Sequence, residues 1–135
     1  MNKKTRDLVY EKYNGLCAYS GTLLEYDWQV DHVIPKRLFY YGVVDGDPDH
    51  IDNLVPAQRL INHYKGGLSL SEFKGMSWLG NLHKKIDKPK NPRTEKSKKT
   101  KEYICKIAGY FGVTPDKPFD GIFHFEKNLP SGSAE

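Results

Sequence analysis

The order of apolar and polar positions predicts a chain of short helices and strands. Leu8, Val9 and Tyr13 fall at helical spacing behind Thr5, a residue able to cap them, and Asn14-Gly15 supplies a stop. After a turn-rich knuckle, Cys17-Ala18-Tyr19-Ser20-Gly21, the segments Leu23-Leu24 and Trp28-Gln29-Val30-Asp31-His32-Val33-Ile34 read as the two strands of a hairpin, ended by Pro35. Residues 42–52 have turn composition and predict a long surface loop, beyond which Asn53-Leu54-Val55-Pro56 resumes extended structure. A helix is predicted from about 57 to 64, stopped by Gly66-Gly67. Ser69 and Glu72 then stand at capping-box spacing before a helical stripe of Leu70, Phe73, Met76, Leu79, Leu82 and Ile86. A basic break, Lys88-Pro89-Lys90-Asn91-Pro92, separates this stripe from a third helix marked by Ile104, Ile107, Ala108 and Phe111 and closed by Gly112. Ile122-Phe123-His124-Phe125-Glu126 predicts a short C-terminal strand, and 130–135 a frayed tail.

Composition narrows this to one modest α+β domain. With 135 residues, 38% of them hydrophobic, there is enough apolar surface for one core and too little for two ordinary domains. No run of about 18 apolar residues is present, and the start Met1-Asn2-Lys3-Lys4-Thr5-Arg6-Asp7 lacks the apolar stretch of a signal peptide. A soluble, cytoplasmic protein without a membrane partner is therefore expected. Cys17 and Cys105 cannot build a disulfide framework or a four-cysteine zinc site.

Charge distribution changes the picture more than net charge does. Lys84, Lys85, Lys88, Lys90, Arg93, Lys96, Lys98, Lys99 and Lys101 face only Asp87 and Glu95, a local +7 in a chain whose total is +4. A solvated lysine-rich connector accounts for such a segment, and so does a surface that tracks phosphates. The alternation Asp45, Asp47, Asp49 suggests a calcium loop, but His50 stands at the required glycine and Pro56 at the required glutamate, which excludes an EF-hand. His50, His83 and His124 have no partner pattern and are read as structural or solvated.

Three motifs in order carry chemistry: Val30-Asp31-His32-Val33-Ile34-Pro35, Asp52-Asn53-Leu54-Val55-Pro56 and Ile61-Asn62-His63-Tyr64-Lys65-Gly66. Together they resemble the HNH endonucleases, in an H-N-N variant similar to small bacterial and phage members, over about 17–73 and more loosely to 127. The resemblance implies a ββα-metal (His-Me finger) core with flanking helices, a single domain over 1–129 with its core at about 17–73, and a basic helical extension at about 74–112. It implies hydrolysis of DNA phosphodiester bonds by a one-metal mechanism that leaves 5′-phosphate and 3′-hydroxyl ends. His32 would be the general base, Asn53 would pin the loop and hold that histidine, and Asp31 with Asn62 would bind the metal.

An imidazole that is largely neutral at cellular pH suits the base role. Carboxylate and amide oxygens favour Mg²⁺ first and Mn²⁺ next. Neighbours on a helix point about 100° apart, so either Asn62 or His63 aims at Asp31, and His63 as ligand would favour Ni²⁺ or Zn²⁺. Lys65 and the basic segment are the candidate phosphate contacts. Relatives carry a structural zinc where this chain has Cys17-Ala18-Tyr19-Ser20, and the missing cysteines leave packing by Leu60 and Ile61 to replace it. RNA as substrate, a catalytically idle binding module, and the choice between monomer and homodimer stay open.

Overall fold

The computed structural model describes residues 1–127, so the tail expected at 130–135 lies outside the described residues. The chain is mixed helix and strand and divides into two compact units, Met1–Leu70 with the segment from Phe123, and Ser71–Ile122.

In the first unit, helix α1 (Lys3–Glu11) is capped by Asn2, whose side chain accepts from Thr5 N at 2.8 Å. Thr5 therefore lies inside the helix rather than capping it, while Asn14 at φ 56° and Gly15 at φ 81° make the expected stop. Strand β1 (Gln29–His32) is followed by α2 (Lys36–Tyr40), a loop, a 3₁₀ turn (Ile51–Asn53), strand β2 (Leu54–Ala57) and α3 (Arg59–Lys65). The two strands pair antiparallel, Gln29 opposite Ala57 and His32 opposite Leu54.

This corrects the hairpin drawn from the sequence. Leu23 makes only an isolated bridge to Leu16, and no ladder joins 23–24 to β1. The physical reason is Gln58, almost fully buried, which takes the place of a strand partner. Its Oε1 accepts from Glu25 N at 3.0 Å, and its Nε2 donates to Leu23 O at 2.8 Å and Thr22 Oγ1 at 3.0 Å.

Helix α7 (His124–Lys127) replaces the predicted C-terminal strand. His124 N and Phe125 N donate to Tyr19 O and Ala18 O at 3.0 and 2.8 Å, two anchoring bonds rather than a ladder, and Glu126 Oε1 accepts from Phe123 N at 2.8 Å. Phe123 and Phe125 meet the Tyr19 ring edge-on at 5.0 and 5.9 Å. Val9, Cys17, Ala18, Tyr19, Leu54, Val55, Ala57, Ile61 and Phe123 are the buried apolar residues of this unit's centre.

In the second unit, the long stripe predicted over 70–86 is broken into α4 (Leu70–Lys74, its first residue in the other unit), a 3₁₀ turn (Leu79–Asn81) and α5 (Leu82–Lys85). The break falls at Gly75 and Gly80, where a Cβ on Gly80 would stand 2.8 Å from Lys74 O. Helix α6 (Glu95–Phe111) begins at Thr94, whose Oγ1 accepts from Ser97 N at 3.1 Å, and ends at Gly112 with φ 66°. Phe73, Leu79, Leu82, Ile107, Ala108 and Val113 are buried here. Among the described residues no helix is long and apolar enough to cross a membrane.

Candidate functional site

Strand alternation sends the side chains of Gln29 and Asp31 to one face of β1 and that of His32 to the other. On the first face lies α3. Asn62 Nδ2 donates to Gln29 Oε1 at 2.7 Å, and one turn later Lys65 Nζ lies 3.1 Å from Asp31 Oδ2 and donates to His32 O at 2.9 Å. His63, 100° away around the helix, is exposed. Of the two neighbours, Asn62 is the one that hydrogen-bonds a side chain of β1.

Asp31 is buried, and the Tyr19 hydroxyl donates to the same Oδ2 that meets Lys65. Burial pushes its carboxyl above the usual carboxylate range, against the opposing pull of Lys65 and the Tyr19 hydroxyl. Oδ2 thus takes both contacts, and the His32 backbone also bonds this carboxyl. Asn62 commits its Nδ2 to Gln29, and its carbonyl oxygen is the atom that could serve a cation. One carboxylate and neighbouring amide oxygens are the hard donor set that a divalent cation retaining several waters accepts. Among the described residues no cluster of three histidine, cysteine, aspartate or glutamate side chains is placed to hold a metal. Such a cation would therefore lean on Asp31, Asn62 and oxygens from water or a phosphate.

Lys65 corrects an expectation. Its side chain is fully buried, so it cannot reach a phosphate on the surface; it is the internal counter-ion of Asp31. Sequence reading missed this because a lysine behind a reactive motif looks like a surface contact, and only the depth of α3 against β1 reveals otherwise.

On the other face, His32 opens into a cavity of about 410 Å³ lined also by Met1, Asn2, Thr5, Lys36, Asp49 and Leu54. Its Nε2 donates to Asp49 Oδ1 at 2.7 Å, and this bond, with help from Lys36, holds the Asp49 carboxyl below the usual range. Lys36 was not singled out from the sequence, and Asp49 only as one of three alternating aspartates. The position of Lys36 directly after the motif proline was the available signal; nothing local distinguishes Asp49 from Asp45 or Asp47.

Asn53 lies between the end of β1 and the loop before β2. Nearly buried, it accepts from Ile34 N at 2.8 Å through Oδ1 and donates through Nδ2 to Ile34 O at 3.1 Å and Pro48 O at 2.9 Å. It ties the strand exit to the loop.

The basic segment lies wholly in the second unit. Lys84, Lys88, Lys90, Arg93, Lys96, Lys98 and Lys99 are exposed. Lys98 lies 3.7 Å from Glu95. Lys85 and Lys101 instead brace backbone: Lys85 Nζ donates to Ser77 O at 2.8 Å, and Lys101 Nζ to Pro89 O and Lys90 O at 3.0 and 2.8 Å.

Compared with family models, with curated proteins and with solved structures, the chain finds no match in any of the three.

Proposed function

We propose that this chain is a metal-dependent endonuclease of the HNH type, cutting DNA with His32 as general base on a ββα-metal core. One arrangement carries the reading: β1 and β2 run antiparallel into α3, so that Asp31 and Asn62 lie on adjoining elements of one face while His32, at the strand end, opens into a cavity. Asp31 and Asn62 would hold the cation, which would supply positive charge for the phosphate as negative charge develops on it. His32 accepts the proton of the attacking water from within its cavity, and Lys36 on the same rim offers a cation to the phosphate. Asn53 keeps the loop beside this histidine, and the exposed lysines of the second unit supply sequence-independent attraction for the backbone.

A second reading, a nucleic-acid-binding module without chemistry, draws on Lys65, whose ammonium already answers the Asp31 charge. Cleavage of plasmid DNA and of RNA oligonucleotides with Mg²⁺, Mn²⁺, Ni²⁺ or Zn²⁺ separates the two. Wild type is expected to cut DNA in Mg²⁺, with His32→Ala slower by about 10²–10⁴-fold, the range of a lost general base. Full activity in His32→Ala overturns the base assignment. Binding without cutting in every metal favours the module, and cutting of RNA alone changes the substrate.

A further inference from the structure

Asp49 is held too deliberately for a solvated loop carboxylate. Asp47 Oδ1 accepts from Asp49 N at 2.9 Å, Asp47 O from His50 N at 3.1 Å, and His50 O from Asn53 N at 2.8 Å. The Asn53 side chain then clamps both ends of the His32–Asp49 contact. It bonds Ile34, two residues beyond His32, and Pro48, the residue before Asp49. The side chain of Asp49 takes no part in this scaffold; it points at His32, 2.7 Å from Nε2.

We propose that Asp49 is a positioning residue for His32, fixing the ring as the Nε2–H form so that Nδ1 is the nitrogen that works as base. The inference rests on the nuclease reading. A neutral imidazole carries one N–H, and donating it to Asp49 leaves the Nδ1 lone pair uncommitted. In the reaction the water proton moves to Nδ1, its oxygen bonds to phosphorus, and the electron pair of the broken bond leaves with the 3′-oxygen, which takes a proton from solvent. The Asp49 carboxylate stabilises the imidazolium so formed, as an acidic partner does for a histidine base elsewhere. Lys36, the other charged side chain on the cavity rim, stands near Asp49 and offsets part of its charge.

The test pairs a spectroscopic readout in the free protein with kinetics. At pH 8 and without metal, long-range ¹H–¹⁵N spectra of wild type are expected to show the His32 ring as the single Nε2–H form. Asp49→Ala should move both ring nitrogens toward the averaged shifts of a mixed population. With Mg²⁺ and DNA, Asp49→Ala should lower kcat by about ten- to a hundredfold with KM little changed, and Asp49→Glu should recover part of it. The loss is smaller than for a buried partner because water can enter beside this exposed carboxylate. A wild-type ring protonated at Nδ1, or equal ring shifts and equal kcat in Asp49→Ala, overturns the proposal. Wild type that cuts nothing overturns the nuclease reading and the catalytic part with it, while the ring spectrum still decides the pairing.

Discussion

Lys65→Met isolates what the buried ammonium does. Methionine fills the volume of the lysine stem with an apolar side chain, so the change removes the charge 3.1 Å from Asp31 and the bond to His32 O and little else. Asp31 then has two courses. Staying ionised without its partner costs about 3–5 kcal/mol. Taking up a proton costs at most about 1.4 kcal/mol for each pH unit above an unfolded pKa near 3.9, hence about 4 kcal/mol at pH 7 and between about 1 and 2 at pH 5. The cheaper course sets the loss, and the broken bond to His32 O adds about 1 kcal/mol at either pH.

The sign follows from a carboxyl raised by burial and, in the variant, raised further. Its penalty is absent below the unfolded pKa, grows as pH rises through it, and levels off above the folded pKa. Urea unfolding of wild type and variant in EDTA, at pH 5 and 7, should therefore show a destabilisation larger by about 2 kcal/mol at pH 7. An equal destabilisation at the two pH values, or one under about 1 kcal/mol at pH 7, refutes the assignment of Lys65 as the counter-ion of Asp31.

Two further outcomes are expected. Gly21→Ala places a Cβ 2.8 Å from His124 Nδ1 on a backbone at φ 74°, and should cost about 1–2 kcal/mol from the backbone alone, read by thermal or urea melts. Replacing Lys84, Lys88 and Lys90 together by alanine should lower the slope of log K against log salt for duplex DNA by up to about 0.9 for each phosphate that is no longer neutralised; an unchanged slope removes that segment from the interface.

The part of the arrangement that was legible is the part that depends on spacing along the chain. Asn53 and Asn62 stand at fixed distances from Asp31 and His32, and the extended segments about 30 and 55 do form β1 and β2. Their pairing was not legible: nothing in Leu23-Leu24 reveals that Gln58, from 33 positions or more downstream, will satisfy its backbone. The same holds for Lys65, whose sequence neighbourhood cannot report that α3 presses it into the interior. Asp49 is the plainest case. Its importance comes from a turn that aims one of three similar aspartates at His32, and composition gives all three the same look. Local propensity also favoured a strand at 122–126, where Phe123 and Phe125 instead anchor a helical turn against the knuckle.

That anchoring bears on how the protein is made. Tyr19, whose hydroxyl grips Asp31, leaves the ribosome 104 positions before Phe123, whose ring meets it edge-on at 5.0 Å. At about 5–20 residues per second the interval is on the order of 5–20 s. Throughout that delay the wall behind the site carboxylate stands unfinished, although Asp31 itself emerges only 12 positions after Tyr19. The acid pocket is therefore among the last parts of its unit to close, and nascent chains halted before residue 123 should expose Tyr19 to solvent probes that the finished protein excludes.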